Sequence, residues 1–169
     1  MSDESLVSTI RRACEIADAH AASLFCVDGS VLRPYVIYNL PKEYIAGIGA
    51  VRIGSQCCGR AVEHKKPWVV TDMLEDPLFA EGRDGARTSI IRAAFSVPVF
   101  DEENVIASLA CHYTAPHTPS KFDIDRNQFF AKLIAIVLKG RYPLSFEKPI
   151  FAMAEGPEPA YRATDRAVS

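Results

Sequence analysis

The chain has 169 residues, of which 49% are hydrophobic and 24% charged, a composition typical of one folded domain and not of a disordered chain. Nineteen basic and twenty-one acidic residues leave a formal net charge of -2, without the basic footprint of a nucleic-acid-binding protein. Neither a signal peptide nor a long apolar span is visible, and the five cysteines form no CxxC pair. We therefore expect a cytoplasmic protein without a nucleic-acid or membrane partner.

Helical spacing of apolar residues marks two segments of the chain. Over residues 6–17 apolar side chains recur every three or four positions, which predicts a helix with one apolar face. A second helix is predicted over residues 121–139, because Ser120 and Asp123 form a capping-box pattern and Gly140 supplies a stop.

Five β-rich segments lie between these helices. Asp28-Gly29-Ser30 joins the first two in a hairpin, and Pro34 requires an edge position or a bulge in the second. Another hairpin turns at residues 101–104, and its two strands should form the centre of the sheet. The predicted strands are residues 23–27, 31–40, 67–71, 89–100 and 105–114.

The segments that connect the strands predict a cover over one side of the sheet. Residues 41–49 suit a short helix or structured loop, residues 59–64 a short helix, and residues 79–88 a solvated connection or frayed helix. The order of elements predicts an α+β fold, with terminal helices on one face of an antiparallel sheet and a covered pocket on the other. We assign residues 1–140 to this domain and residues 141–169, which contain four prolines, to a C-terminal extension that is wrapping or flexible.

The chain contains five short motifs: GSQCCGRAV (54–62), PWVVTD (67–72), EDPLF (75–79), IRAAFSVPV (91–99) and APHTPS (115–120). Taken in order and spacing they resemble those of a GAF domain, and the version here is similar to GAF domains of bacterial two-component sensors and related signalling regulators. The resemblance implies a sheet of five or six strands and a small ligand between sheet and cover. It also implies a homodimer, which we expect through the faces of residues 6–17 and 130–138. Because no effector segment follows, output would pass to a partner such as a histidine kinase. The chain departs from the family where a glycine is usual two places after Gly54, since Gln56 stands there.

The expected function is the sensing of an unidentified small molecule without catalysis and without a cofactor. The turn from Gly54 to Gly59 precedes a short helix, so its backbone N–H groups could face an anion; the alternative is that its glycines only turn the chain and admit close packing. Asp72 could serve as a cap or as a polar pocket residue. Aromatic side chains are expected to line the covered side, drawn from Tyr35, Tyr38, Tyr44, Trp68, Phe79, Phe95 and Tyr113. The predicted ligand-binding residues are Tyr38, Cys57, Cys58, Gly59, Trp68, Asp72, Phe79 and Phe95.

Two alternative functions remain open at this level. Adjacent Cys57 and Cys58 near a helix start could support redox chemistry, because a thiol there has a lowered pKa, although free cysteines are more commonly just packed. Free methionine sulfoxide reductases are GAF-fold enzymes that look similar here, although they also carry a cysteine in the cover, where residues 77–90 have none. Cys111, His112 and His117 suggest a metal, haem or tetrapyrrole site, but nothing completes a ligand set and His112 should face away from its strand neighbours.

Overall fold

The computed structural model describes residues 2–82 and 89–154. A 3-10 helix at Pro77–Gly82 follows the fourth strand. The α-helices are α1 (Asp3–Ile16), α2 (Lys42–Ile48), α3 (Gln56–His64) and α4 (Lys121–Lys139), and the strands are β1 (Ala21–Asp28), β2 (Val31–Tyr38), β3 (Val51–Arg52), β4 (Trp68–Val70), β5 (Ala93–Asp101), β6 (Asn104–Tyr113) and β7 (Ile150–Ala152).

The strands form one sheet in the order β3-β2-β1-β6-β5-β4, with antiparallel pairing between neighbours. Strand β6 is central as predicted, whereas β5 lies one strand in from the edge strand β4. The extension after residue 140 contributes β7, which pairs parallel with β2. Part of this extension therefore wraps onto the sheet, and residues 155–169 lie outside the described residues.

Helices α1 and α4 cover one face of the sheet. Leu6, Ile10, Ile134 and Leu138 are fully buried against it, and burying a side chain of this size contributes about 1.5–3 kcal/mol. The predicted capping box begins α4: Ser120 Oγ accepts the Asp123 N–H at 3.1 Å, and the Asp123 carboxylate accepts the Ser120 N–H at 3.0 Å. Neither α4 nor another helix in the described part of the chain is long and apolar enough to cross a membrane.

The opposite face lies under α2, α3 and the 3-10 helix, so the predicted α+β arrangement with a cover is confirmed. Helix α2 forms over the predicted segment, and α3 begins three residues earlier than predicted, at Gln56. The predicted connection at residues 79–88 begins in the 3-10 helix and continues into residues 83–88, which lie outside the described residues.

A bulge interrupts the pairing of β1 with β2 next to Pro34. Leu24 pairs with Val36 and Phe25 pairs with Pro34, which leaves Tyr35 as the extra residue. The expectation of a bulge at this proline is therefore correct, and β2 is an internal strand that pairs with β1 on one side and with β3 and β7 on the other.

Candidate functional site

The covered face of the neighbouring strands β1, β6 and β5 is a floor of mostly small or polar side chains. Side chains alternate between faces along a strand, and one set of alternate residues packs on α1 and α4. The other set faces the cover. This floor consists of Ala21, Ser23 and Phe25 of β1, Ala94 and Ser96 of β5, and Ser108, Ala110 and His112 of β6.

Two polar atoms of the floor are buried without a hydrogen-bond partner among the described residues: Ser108 Oγ and His112 Nδ1. The neighbouring polar groups are paired. Ser23 Oγ lies 2.8 Å from His112 Nε2, and the Ser96 hydroxyl donates to Cys57 Sγ at 3.3 Å. A buried polar group left unpaired costs about 1–3 kcal/mol, so this floor has unused hydrogen-bonding capacity.

His112 is neutral in the folded protein at pH 7. Burial lowers the pKa of its imidazole to about 4, and nearby His20 adds to the shift. The Ser23 hydroxyl fixes one ring nitrogen, so the other can donate or accept depending on the tautomer. Cys111, the preceding residue, points to the helices, where its thiol meets Asn127 Oδ1 at 3.4 Å. The predicted opposite orientation of His112 and Cys111 is therefore correct.

The metal-ligand candidates do not converge. His117 stacks on Tyr113 with ring centroids 3.9 Å apart. Within residues 2–82 and 89–154, no group of three or more histidine, cysteine or acidic side chains could hold a metal ion.

Helix α3 begins in a tightly folded turn that uses its own backbone donors. The Gly54 N–H donates to the Gly59 carbonyl at 2.9 Å, and the Ser55 N–H donates to the Arg52 carbonyl at 3.0 Å. A Cβ at Gly59 would lie 2.3 Å from the Arg52 carbonyl oxygen. Glycine is required there because helix and strand backbones approach closely, which agrees with the prediction that the glycines of this turn admit close packing.

Gln56 occupies the position where the resemblance implies glycine, and its φ is 56°. That left-handed backbone conformation is one that glycine adopts without steric cost. Gln56 therefore holds, under strain, a backbone conformation that glycine would adopt freely.

Cys57 and Cys58 lie at the start of α3, but their thiols are not activated. Burial raises the pKa of each to about 12, the opposite of the lowered pKa that the sequence interpretation considered. The Cys57 thiol lies within 3.5 Å of the Trp68 carbonyl and 3.8 Å of the Ala94 carbonyl. It therefore packs as a small side chain between α3 and the floor.

Asp72 joins the end of β4 to the residue before β5. The Arg92 guanidinium donates to its two carboxylate oxygens at 3.2 and 2.9 Å, and the Leu74 N–H donates to it at 3.0 Å. The hydrogen bonds from Arg92 hold the pKa of Asp72 below its usual value. Asp72 therefore accepts a hydrogen bond within the turn at residues 73–75 and does not cap a helix, because the next helix begins at Pro77. Its ion pair with Arg92 links this turn to the start of β5.

Phe79 and Trp68 differ in their distance from the floor. Phe79 is 4% exposed and packs within the covered cluster. Trp68 is half-buried on the edge strand, stacked on His64 with ring centroids 4.8 Å apart and approached by Arg60 and Lys66. Only part of the Trp68 side chain therefore packs against the covered cluster.

Tyr38 and Phe95 lie on the wrong face for the predicted pocket. Both pack in the cluster under α1 and α4, as do Tyr35 and Tyr113. On β5 the alternation places Phe95 with Ala93 and Val97, and so opposite Ala94 and Ser96. Of the predicted aromatic lining, the structure brings Tyr44, Trp68 and Phe79 to the covered side.

The covered face is packed where the structure describes it, instead of forming the open pocket expected. Cys57, Val62, Met73 and Phe79 are all buried over the floor. A cleft of about 350 Å³ lies beside Arg60, and another of about 280 Å³ lies beside His117; neither is lined by Ser108 or His112. A ligand that reaches the floor therefore requires the cover to move.

The sequence interpretation missed Ser23, Ser96 and Ser108 as floor residues. Their signal is the alternation along β1, β5 and β6, in which each serine lies between two residues that pack under the terminal helices. In each strand, counting every second residue from the neighbour of a helix-facing residue identifies the side chains that face the cover, including the three serines.

The fold has solved counterparts of more than one kind. The GAF domain of a phosphoenolpyruvate-protein phosphotransferase from Coxiella burnetii has a TM-score of 0.70 at 17% identity, over 81% of this chain and 82% of that one. A domain assigned to a two-component sensor histidine kinase of Sinorhizobium meliloti 1021 has a TM-score of 0.68 at 16% identity, over 81% and 90%. A free methionine-R-sulfoxide reductase from Neisseria meningitidis, solved with its substrate, has a TM-score of 0.61 at 17% identity, over 80% and 83%.

At these identities the solved structures establish the fold alone, and no curated protein sequence matches the chain. The family comparison reaches further. A model of the GAF domain matches residues 3–138, which run from the start of α1 almost to the end of α4 and include the whole floor and its cover. The chain therefore belongs to the GAF domain family.

Proposed function

We propose that this chain is a non-catalytic regulatory domain that binds a small molecule between the floor and its cover. The observation that carries the proposal is the pair of buried, unpartnered atoms on β6, Ser108 Oγ and His112 Nδ1. A ligand that supplies both partners would recover the cost of burying them. Such a ligand shifts the protein from the packed cover to a rearranged cover only to the extent that it binds the rearranged state more tightly than the packed one.

The thiols favour this function over reductase chemistry. A reductase needs a thiolate, and burial raises the pKa of Cys57 and Cys58 to about 12. The sequence carries no cysteine between Cys58 and Cys111, so the cover lacks the second thiol that the resemblance to the reductases implies. Five free cysteines suit a reducing compartment, and we place the protein in the cytoplasm.

The decisive experiment pairs two serine variants of the floor. Ser108→Ala removes an unpaired hydroxyl, so it should leave the ligand-free protein as stable as the wild type or more stable. Ser96→Ala removes a hydroxyl bonded to Cys57 and should cost about 1 kcal/mol in urea unfolding. Native mass spectrometry of the purified protein and thermal-shift screening of metabolites then identify a binder, whose affinity should fall in Ser108→Ala.

Two outcomes would contradict the proposal. One is turnover of free methionine sulfoxide with a thiol reductant that is lost in Cys58→Ser. The other is a visible absorbance band in the purified protein, which would indicate a haem or tetrapyrrole. A binder whose affinity is unchanged in both Ser108→Ala and His112→Gln would remove the assignment to the floor.

We also propose a homodimer that signals through a separate effector such as a histidine kinase. Most apolar residues of the faces first expected at the interface, residues 6–17 and 130–138, are buried within the domain and are not available to a second copy. An apolar stripe on α4, which shares part of the second range, remains exposed at intervals of three, four and seven residues. It consists of Phe122, Phe129, Leu133 and Ile136, which are 57%, 55%, 39% and 67% exposed.

Light scattering tests the dimer. Ile136→Glu should convert it to a monomer, because a charge in a buried apolar interface is costly. Leu78→Glu, at a 50% exposed apolar residue outside the stripe, should leave the dimer intact. A wild-type monomer at high concentration would refute this part of the proposal without affecting ligand binding.

A further inference from the structure

We propose a second binding site, for an oxyanion, in the cleft on the outer side of α3. The cleft has a volume of about 350 Å³ and lies between the start of α3 and the first residues of the 3-10 helix. Its walls include Arg52, Gly54, Ser55, Arg60, Glu63 and Leu78.

This cleft is separate from the floor described above. Cys57, Ala61 and Val62 are buried on the side of α3 that faces the sheet. Arg60 and Glu63 lie on the other side of the helix, where Glu63 is exposed. A ligand in the cleft therefore does not compete for Ser108 or His112.

Arg60 supplies a positive charge and one donor atom, Nε, without a hydrogen-bond partner among the described residues. Its guanidinium carbon lies 5.7 Å from the centroid of the Trp68 ring, which holds the group in place. The unpartnered Nε is also buried. A permanently charged donor left in this condition is costly, and a phosphate or carboxylate oxygen is the acceptor that a guanidinium binds best.

The remaining groups of the cleft favour an anion. Arg52, Arg60 and Glu63 are charged residues that line the cleft, and the Glu63 carboxylate lies 3.4 Å from His64 Nε2. The cleft lies at the start of α3, so the positive end of the helix dipole adds to the field there.

Titration of ¹⁵N-labelled protein with inorganic phosphate at constant ionic strength tests the site. Saturable shifts are expected for the Gly54 and Ser55 amides and for the Arg60 Nε–H. A parallel titration with acetate distinguishes a carboxylate from a phosphate source. Failure of both anions to give saturable shifts at these groups would overturn the proposal, whatever happens at the floor.

A matched pair of variants separates the site from general electrostatics. Arg60→Gln should weaken anion binding about tenfold. Lys66→Gln removes the same charge from beside the same Trp68 ring, 5.9 Å from its centroid, but outside the cleft, and should leave the affinity nearly unchanged. Equal losses in the two variants would overturn the site.

Two further variants test whether the planar guanidinium group is needed and whether the ligand is negatively charged. Arg60→Lys keeps the charge but loses the planar donor, so it should bind more weakly than the wild type. Glu63→Gln removes the opposing carboxylate and should tighten binding. Weaker binding in Glu63→Gln would contradict an anionic ligand. Unchanged circular dichroism in each variant establishes that the fold is retained.

Discussion

Gly59→Ala is the sharpest test of how α3 is seated on the sheet. The added Cβ would lie 2.3 Å from the Arg52 carbonyl oxygen, whereas ordinary contact begins near 3.4 Å, so the helix and strand must separate by about 1 Å. The atom that is met belongs to the backbone and cannot rotate away. Separation also strains the hydrogen bond from the Gly54 N–H to the Gly59 carbonyl.

The opposing effects can be compared by magnitude. Replacing glycine by alanine inside a helix is worth about 1 kcal/mol in favour of folding. Overpacking of this kind costs about 1–3 kcal/mol, and weakening one or two hydrogen bonds costs about 1 kcal/mol more. We expect Gly59→Ala to lose about 2 kcal/mol net, which lowers Tm by about 4–8 °C in a domain of this size.

Urea unfolding followed by circular dichroism measures the change, with Gly47→Ala as the control. Gly47 lies in α2, and a Cβ there meets no atom within 4 Å. Gly47→Ala should therefore gain up to about 1 kcal/mol from the same substitution. If Gly59→Ala were also as stable as the wild type, α3 would not be packed on the β3 backbone as described.

Three further substitutions test other parts of the structure. Because burial lowers the pKa of His112 to about 4 from about 6.5 in the unfolded chain, its contribution is complete above pH 6.5 and is lost as the pH falls towards 4. The loss should approach about 3 kcal/mol in urea unfolding, and His112→Gln should remove this part of the pH dependence. Asn127→Ala removes an amide that donates to the Ala13 carbonyl and accepts from the Cys111 thiol, and should cost about 2–3 kcal/mol by calorimetry. Gln56→Gly relieves a left-handed residue and should raise stability by up to about 1 kcal/mol in thermal unfolding.

The sequence predicted an element well where the residues that define its start or end are neighbours in the chain. The capping box at Ser120 fixes the start of α4 to the residue, because both of its hydrogen bonds form within one turn. The start of α3 was predicted three residues too late. The helix begins at Gln56, whose left-handed backbone conformation is unusual for glutamine and could not be expected from the residue type.

The roles of site residues were harder to predict, because they depend on what packs against them. A cysteine at a helix start is activated only when it is accessible, and the sheet buries Cys57. Gly59 fits an anion-binding turn as a pattern, but close approach of the Arg52 carbonyl accounts for it. How closely two segments of the chain approach each other in the fold cannot be read from a single sequence.

Tyr38 shows how one inserted residue changes the face on which a pocket is predicted. In a regular strand Leu32 and Tyr38 would share a face, because they are six residues apart. Leu32 instead packs under the cover and Tyr38 under the terminal helices, since the bulge at Tyr35 reverses the alternation between them. The proline at position 34 indicated a bulge or an edge position in this strand. The face on which Tyr38 lies can be predicted only when the alternation of side chains is counted anew after the extra residue, Tyr35.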